Sequence, residues 1–320
     1  MYVERKIYMN NSKKFKEYLK NQDIEGLKSI PKGELHNHGG LGMKFETIYK
    51  YTDKQIKKPN ENMYGIKGLD DFIFNEYINH IKTKNDFLWT IEETVKEAIN
   101  DGIIKLEASI DCHEILRFED ENNFFNSIYS IVDKYNDKIE FKPEIGVAKS
   151  ITDENLKNLV PKLIESGVFR SIDLYGDEEI TGFERYKDYY EYAKKKGLKL
   201  KAHAGEFLGA NNVKEAVSVL NLDEIQHGFR AIEDEYVVDM IKERNIRLNI
   251  CPTSNLYLKA IDNIKNHPAK ELFNKGVDIS INTDDLIVFG SNVSEEYLML
   301  YNNNIFSAEE LDLIRLNSIK

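Results

Sequence analysis

The chain has 320 residues, a formal net charge of −11 and only two cysteines. This acidic balance argues against a nucleic-acid groove or an anionic membrane surface as the partner, and it favours a small-molecule ligand. The residues after Met1 lack the apolar core of a signal peptide and no long apolar stretch follows, so we expect a reduced, cytoplasmic protein. This length suits one α/β barrel.

The first thirty residues predict one or two helices. Phe15, Leu19 and Leu27 recur among lysines at spacings that place them on one helical face. We interpret residues 1–30 as a helical extension packed on the barrel, and residues 31–320 as the barrel itself. The extension shows no chemistry of its own.

Two histidines follow the break at Pro31–Gly33. His36 and His38 are two positions apart on a predicted strand, so their side chains should point to the same face. Imidazoles on one face suit a single metal ion, but histidines at solvated strand ends are also common. The pair needs further ligands before it predicts a metal site.

A short amphipathic segment lies between the first two predicted strands. Leu69, Phe72 and Ile73 have helical spacing. They could belong to a helix that packs on the core, or to an apolar lid over a flat aromatic ligand. Both interpretations stay open at this point.

Strand-like runs alternate with helix-like stretches along the rest of the chain, which is typical of α/β proteins. No linker, low-complexity tract or internal repeat interrupts them. We therefore predict a single (β/α)8 TIM barrel with extra helices, including the apolar lid. The predicted strands lie at residues 34–40, 103–110, 139–147, 171–178, 198–206, 223–228, 246–255 and 277–285.

Polar residues end several of these strands, and in such a barrel the carboxyl ends of the strands carry the chemistry. Histidine and aspartate at the ends of strands one, five and eight form a nitrogen and oxygen ligand set that suits zinc, which lowers the pKa of water from 15.7 to about 7. The candidate ligands are His36, His38, His203 and Asp284.

Two further polar residues end strands five and six. Glu206 and His227 are the candidate catalytic residues. Each candidate taken alone could be a buried histidine, a surface glutamate or a helix cap. Their joint placement at the strand ends of one barrel favours a metal-dependent catalytic site.

Several motifs occur together and in one order over residues from about 31 to 318. They resemble the adenosine deaminase family of metal-dependent barrels. The motifs are Pro31–His38, His203–Glu206, Gln226–Gly228, Cys251–Asn255 and Asn282–Asp285.

The resemblance implies zinc-dependent hydrolytic deamination of an aminopurine nucleoside, such as adenosine to inosine and ammonia, by attack of a zinc-activated water at purine C6. The four candidate ligands would hold one Zn²⁺, although another divalent metal is possible. Glu206 would protonate N1. His227 would orient or deprotonate the attacking water and stabilise the oxygen that adds. Asp284 would also accept a hydrogen bond from this water.

The resemblance also implies how the substrate is held. Asp285 would hold N7, and the backbone of Gly176, which alone could be a turn glycine, would hold N3. The lid residues Leu69, Phe72 and Ile73 would cover the purine. These three assignments complete the predicted substrate site.

One departure from the family affects the sugar. Gly39 and Gly40 stand where the family usually has an aliphatic and then an acidic residue that grips the ribose. We therefore expect the site to recognise the purine base more specifically than the sugar. The substrate would be adenosine-like with weak discrimination at the 5′ position, or it would carry a 5′ substituent in the room that the glycines leave.

Other functions stay open. The alternatives within the superfamily are deamination of adenine, of a modified or 5′-substituted adenosine, or of an aminofutalosine-type compound, and hydrolysis of another C–N bond. A more distant alternative is a non-catalytic metal-binding barrel. The absence of a Cys-x-x-Cys motif excludes a deaminase of the cytidine type. The sequence predicts no particular oligomeric state.

Overall fold

Eight parallel strands form one sheet in chain order in the computed structural model, which describes residues 2–59, 63, 65–180 and 182–320. Each strand pairs with the next along the chain. The strands are β1 (Lys32–Glu34), β2 (Ile103–Asp111), β3 (Glu140–Ala148), β4 (Ser171–Tyr175), β5 (Lys199–Ala204), β6 (Glu224–His227), β7 (Arg247–Ile250) and β8 (Ile279–Ile281).

The sheet curves until its last strand approaches its first. Beyond the ends of β8 and β1, Asn37 and Asp284 form an isolated parallel bridge, and the backbone N–H of Asp284 donates to the carbonyl of His36 at 3.2 Å. The predicted (β/α)8 barrel is therefore confirmed. The closure also brings together two segments that carry predicted metal ligands.

Helices follow the strands and surround them, and short 3₁₀ segments join several of them. The helices are α1 (Tyr2–Asn21), α2 (Ile24–Lys28), α3 (Phe45–Tyr51), α4 (Gly65–Phe72), α5 (Ile78–His80), α6 (Lys84–Asn100), α7 (Glu121–Lys134), α8 (Asp153–Glu165), α9 (Lys187–Lys195), α10 (Ala210–Leu220), α11 (Glu235–Glu243), α12 (Pro252–Tyr257), α13 (Ala269–Asn274), α14 (Leu286–Phe289), α15 (Val293–Asn302) and α16 (Ala308–Ser318).

Local sequence signals explain where several helices begin. The Thr83 side chain accepts the N–H of Asp86 at 3.1 Å, and the Asp86 carboxylate accepts the N–H of Thr83 at 2.8 Å. This capping box fixes the first turn of α6 because it satisfies two backbone donors that the helix leaves free. Asn292 and Ser307 start α15 and α16 in the same way. Among the described residues no helix has the length and apolarity that a membrane crossing needs.

The amino-terminal helices pack on the last two. The Phe15 ring of α1 meets the Tyr297 ring of α15 edge to face at 5.4 Å, and the Arg315 guanidinium of α16 lies 5.2 Å from the Phe15 ring centre. Leu19 and Leu27 are fully buried, as their spacing predicted. The division of the chain at residue 30 stays a prediction, and its first residue, Met1, lies outside the described part of the chain.

A buried ionic cluster fills the barrel interior below the strand ends. Lys201 of β5 is fully buried, lies 2.6 Å from the Glu144 carboxylate and also contacts Glu107. Burial lowers the pKa of Lys201, but the charges of Glu107, Glu144 and Glu224 outweigh it and raise the pKa well above its ordinary value. Because these charges are paired, they can be buried, and the packed barrel interior supports the side chains at the carboxyl ends of the strands.

Candidate metal and catalytic site

The two histidines of the first motif lie just beyond β1, which ends at Glu34 rather than continuing through residue 40 as predicted. Isolated parallel bridges at Asn37 and His38 join this segment to its neighbours, and the Leu35 backbone also bonds the side chains of Asn282 and Lys201. Both histidine side chains nevertheless point to one place. The Nε2 atom of His38 lies 3.2 Å from Asp284 Oδ1, and that of His36 lies 3.6 Å from the same oxygen.

His203 joins this group from the end of β5. Its Nε2 atom lies 3.1 Å from the Nε2 atom of His36. The predicted ligands His36, His38, His203 and Asp284 are therefore brought together at the carboxyl end of the barrel. For ligands about 2.0–2.2 Å from one zinc ion, separations of roughly 3.0–3.6 Å are the ones expected.

The hydrogen bonds of the far ring nitrogens test whether these residues fit a metal. His203 Nδ1 lies 3.2 Å from the Asp173 carboxylate, and His36 Nδ1 lies 3.3 Å from the carbonyl of Asn249. Both partners are acceptors, so each Nδ1 carries the proton and each Nε2 presents a lone pair. Two lone pairs that face each other at 3.1 Å suit a cation bound to both. The donor set fits a metal ion.

The protonation states of His36 and Asp284 agree with this assignment. At His38, burial lowers the pKa but the charges of Asp285 and Asp284 outweigh it and raise the pKa to about 10, so a metal binding there displaces a proton. Burial lowers the pKa of His36 well below its ordinary value, so its imidazole is neutral and free to bind a metal. Burial opposes ionisation of Asp284, but its contact with His38 and the nearby His36 hold the pKa of this carboxyl below its usual range. The hydroxyl of Ser254 donates to Asp284 Oδ2 at 2.7 Å and leaves Oδ1 toward the histidines.

Backbone conformation is strained at two of the predicted functional residues. His227 has a φ of 61° and Asp284 a φ of 63°, in the left-handed region that residues other than glycine adopt uncommonly. Such strain persists only where the surrounding structure enforces it, and it concentrates at functional sites. His227 is the last residue of β6 and Asp284 lies three residues after the end of β8, and their side chains approach each other to 3.8 Å.

A chain of hydrogen bonds orients the two candidate catalytic residues. The backbone N–H of Ala269 donates to His267 Nδ1 at 3.0 Å, so His267 carries its proton on Nε2, which lies 3.1 Å from Asn255 Oδ1. The Asn255 amide nitrogen must then face the other way. It lies 2.7 Å from Glu206 Oε1 and 3.0 Å from His227 Nδ1.

This orientation assigns the proton of His227. Because the Asn255 amide donates to Nδ1, the imidazole carries its own proton on Nε2. That atom lies 3.5 Å from Glu206 Oε2 and 3.8 Å from Asp284 Oδ2. Burial lowers the pKa of His227 to about 3, although Asp284 opposes the shift, so the ring is neutral at cellular pH.

Glu206 has the opposite perturbation. Burial, followed by the negative charges of Asp284 and Glu178, raises the pKa of Glu206 well above its ordinary value, and the Asn255 amide offsets only part of this. This shift favours the protonated, neutral form of the carboxyl. Glu178 holds the segment in place, because its carboxylate accepts the backbone N–H groups of Glu206 and Phe207, both at 2.9 Å.

The residues predicted to hold the purine lie beside this group. Gly176 directly follows β4 with a φ of 103°, and a side chain there would meet only the backbone nitrogen of Lys149, at 3.8 Å. Asp285 is buried, and its Oδ1 has no hydrogen-bond partner among the described residues. Burial raises the pKa of Asp285 to about 7, with His38 opposing and Asp284 adding to the shift.

The predicted lid segment forms α4 and a wider π-helical segment at Ile73–Tyr77. Leu69 and Phe72 are buried, and Ile73 is partly buried against the core. Burial and the charge of Asp177, the residue after Gly176, raise the pKa of Asp70 in α4. The segment thus lies near the β4 side of the barrel mouth, and its role as a lid stays a prediction.

The two glycines after His38 leave no empty room where their side chains would be. A Cβ on Gly40 would lie 2.7 Å from the Tyr77 hydroxyl, and one on Gly39 would lie 3.0 Å from Ile91 Cδ1. The Tyr77 hydroxyl donates to the Gly40 carbonyl at 2.8 Å. The Tyr77 side chain therefore occupies the space that was expected to hold a 5′ substituent. It packs where the Cβ of the family's carboxylate residue would lie.

The sequence analysis missed five residues that orient the site. Ser254 and Asn255 lie within a quoted motif but had no role assigned. Asp173 was signalled only by its alternation with Tyr175 on β4. Nothing local to Glu178 or His267 indicated that they support Glu206 and Asn255. Their function depends on contacts made across the barrel mouth.

Comparisons with known proteins agree with this geometry. The model of the adenosine deaminase family matches residues 31–320. A putative adenosine/adenine deaminase of Treponema pallidum is 33% identical over 276 residues, which cover 86% of this chain and 92% of that relative.

Solved structures are similar in fold. Adenine deaminase from Arthrobacter aurescens superposes with a TM-score of 0.80 at 24% identity, covering 90% of this chain and 92% of that one. An amidohydrolase from Burkholderia ambifaria with bound zinc has a TM-score of 0.77 at 20% identity, covering 92% of this chain and 85% of that one. At these identities the likeness supports the fold alone.

Proposed function

Because this chain belongs to the adenosine deaminase family, a family of hydrolases that act on C–N bonds, we propose that it deaminates an aminopurine nucleoside, adenosine or a close analogue. The observation that carries the proposal is the 3.1 Å separation of the Nε2 atoms of His36 and His203, close to the buried Glu206 carboxyl, whose pKa is raised. A metal ligand set and a general acid are the two parts that this hydrolysis needs.

We assign His36, His38, His203 and Asp284 as the ligands of one Zn²⁺, with another divalent metal as the alternative, because imidazole and carboxylate ligands discriminate poorly among such ions. When bound, the metal supplies a Lewis acid that makes water nucleophilic at neutral pH. Asp173 and the carbonyl of Asn249 support the assignment by fixing the ring nitrogens of His203 and His36.

Glu206 supplies the proton that activates the purine. Its Oε1 accepts from Asn255, so the proton lies on Oε2, from which it passes to N1 and makes C6 electrophilic. The proton stays on N1 in the product. The water gives its oxygen to C6, one hydrogen to the departing ammonia and the other to Glu206, which restores the acid.

His227 stabilises the oxygen that adds at C6. With its proton on Nε2 and a lowered pKa, the neutral ring donates a hydrogen bond and does not act as the base in this protonation state. Asp284 accepts a hydrogen bond from the attacking water through the carboxylate that Ser254 orients. These two contacts position the water for attack on C6.

Asp285 and the N–H of Gly176 hold the purine at N7 and N3, and Leu69, Phe72 and Ile73 cover it. Both ring nitrogens are acceptors, so Asp285 must hold a proton to bind N7. Its raised pKa of about 7 and the free Oδ1 support this role. The backbone conformation of Gly176 leaves its amide accessible to a flat ligand.

A screen for ammonia release tests the proposal. Purified protein with its metal is incubated with adenosine, 2′-deoxyadenosine, adenine and 5′-substituted adenosines. We expect one ammonia for each inosine-type product formed. Adenine as the sole substrate would favour the free-base alternative, and no release from any aminopurine would favour a non-catalytic barrel. The cytoplasmic location stays a prediction.

A further inference from the structure

Three side chains at the ends of β2 and β4 form a polar cluster that the mechanism does not use. Asp111 Oδ1 accepts the backbone N–H of His113 at 2.7 Å and lies 2.9 Å from His113 Nδ1. The Tyr175 hydroxyl donates to the other oxygen of Asp111. We call Asp111, His113 and Tyr175 the strand-end cluster.

The strand-end cluster lies next to the metal ligands. On β4, Asp173 binds His203 inside the barrel, and Tyr175, two residues further on the same face, has its ring centre 5.4 Å from that of His38. Gly146 of β3 separates β2 from β4 in register with both Asp111 and Asp173. Tyr175 lies two residues beyond Asp173, and its hydroxyl reaches Asp111 from the other side of β3.

The chemistry of the strand-end cluster suits hydroxyl groups. The Tyr175 proton and the His113 Nδ1 proton both point at Asp111, so the lone pairs of the Tyr175 oxygen and of the carboxylate remain as acceptors. The Asp111 side chain is 27% exposed, so a ligand can reach it. Asp177 adds negative charge after Gly176, which disfavours a phosphate group on this side.

The position of the strand-end cluster relative to the purine follows from Gly176, the neighbour of Tyr175. If the Gly176 amide holds N3, the substituent on N9 lies beside it, because N3 and N9 are both bonded to C4. Resting on the proposed function, we infer that the strand-end cluster binds sugar hydroxyls on N9, so that the substrate is a neutral nucleoside rather than a free base or a nucleotide. Asp111 thus supplies from β2 the carboxylate that is missing at Gly40.

Two variants and a control test the inference. Asp111→Asn keeps an oxygen to cap the following turn, and Tyr175→Phe keeps the ring beside His38. Asp137→Asn is the control, an exposed residue between α7 and the start of β3, at the other end of the barrel. We measure metal content and kcat/KM for adenosine, adenine and AMP, with calorimetric binding of inosine and hypoxanthine.

Wild-type protein should prefer adenosine to both adenine and AMP. Asp111→Asn should lower kcat/KM for adenosine about 10–100-fold and weaken inosine binding, with Tyr175→Phe losing less, because a hydrogen bond to a charged group is stronger than one to a neutral group. Adenine turnover, hypoxanthine binding and metal content should stay unchanged, as should every value for Asp137→Asn.

Equal losses for adenosine and adenine in both variants, or a wild-type preference for AMP or adenine, would overturn the inference and leave deamination standing. A wild-type protein that releases ammonia from none of these three, nor from 2′-deoxyadenosine or the 5′-substituted adenosines, would instead refute the proposed function.

Discussion

His267 Nε2 lies 3.1 Å from Asn255 Oδ1, and this single contact sets the direction of the Asn255 amide. The amide nitrogen then reaches both Glu206 and His227, the two residues proposed to act on the purine and the water. His267 touches neither of them in the described hydrogen bonds. It acts as a positioning residue, and the general acid and the oxygen-binding imidazole depend on it together.

Replacing His267 with phenylalanine should therefore slow turnover while the metal stays bound. The ring position beside Phe229 is kept, but Asn255 Oδ1 loses its donor and the amide can rotate. We expect kcat to fall roughly tenfold or more with little change in KM, and stability to fall by about 1–3 kcal/mol from the unsatisfied oxygen. His267→Gln, which keeps a donor, should recover part of kcat, whereas equal losses in both variants would contradict a positioning role.

Loss of two of the proposed ligands should abolish metal binding. Purified wild-type protein should contain one equivalent of a transition metal, most of it zinc. His36→Ala combined with His203→Ala removes the facing pair of Nε2 atoms and should leave far less than one equivalent. His80→Ala serves as the control. Equimolar metal in the double variant, measured by elemental analysis, would show that the site lies elsewhere.

Glu206→Gln should keep the metal and lose most of the activity. Glutamine has the size of the glutamic acid and keeps an oxygen for the Asn255 amide, but it has no acidic proton to give to N1. General acid catalysis contributes about 10²–10⁴-fold, so we expect a loss of that order in kcat. A loss below about tenfold, in a sample whose metal content is normal, would remove Glu206 from this role.

The ligand set could be predicted from the sequence because the carboxyl ends of all strands of a parallel barrel lie on one face. His203 and Asp284 needed only the recognition of a strand and of the polar residues at or just beyond its carboxyl end. The first strand shows the limit of the same reasoning. It was predicted to run to residue 40 but ends at Glu34, where the pairing with β2 shifts register between Lys32 and Gly33.

The residues that orient the ligands could not be predicted, because their role depends on distance in space and not on spacing in the chain. Asp173 contacts His203 from 30 positions away, and Glu178 contacts the N–H of Glu206 from 28. The sequence also did not show that other side chains pack against Gly39 and Gly40. Only the packing of Tyr77 against Gly40 and of Ile91 against Gly39 shows that neighbouring residues require these glycines.

Glu296 of α15 should make stability depend on pH. Burial raises its pKa from 4.5 to about 7, with weaker opposing hydrogen bonds from Ser291 and Thr253. The folded protein therefore keeps this proton up to about pH 7, whereas the unfolded chain loses it near pH 4.5. The contribution of this group to the free energy of unfolding is present at low pH and falls as the pH rises between these values.

Glu296→Gln removes this titration. The free energy of unfolding of the variant minus that of wild type should rise by up to about 3 kcal/mol between pH 4.5 and pH 8. Other buried carboxyls, such as Glu34 and Glu144, titrate in both proteins and cancel in the difference. Denaturant unfolding at each pH measures it, with the exposed Glu191→Gln as the control. A difference that does not change with pH would show that Glu296 is ionised in the folded protein.

The last prediction concerns Gly40, where the family usually has its sugar-binding carboxylate. A Cβ there would lie 2.7 Å from the Tyr77 hydroxyl but 3.8 Å from the ring carbon that bears it. The Tyr77 oxygen is the atom with which it would clash, and Thr90 Oγ1, at 3.3 Å, would be a tight contact. Gly40→Ala should therefore destabilise the protein by about 1–3 kcal/mol through overpacking, and Tyr77→Phe should cost about 1 kcal/mol through its lost hydrogen bond to the Gly40 carbonyl.

The double variant Gly40→Ala with Tyr77→Phe should be more stable than the sum of the two losses predicts, because removing the hydroxyl also removes the clash. We expect a coupling of about 1 kcal/mol or more from a double-mutant cycle of unfolding free energies. Additive losses would mean that the clash at Gly40 is relieved by some movement other than removal of the Tyr77 hydroxyl. In the Tyr77→Phe background, where the hydroxyl is absent, Gly40→Asp should place a carboxylate at the position that is usual in the family. The single variant Gly40→Asp cannot do so without displacing Tyr77.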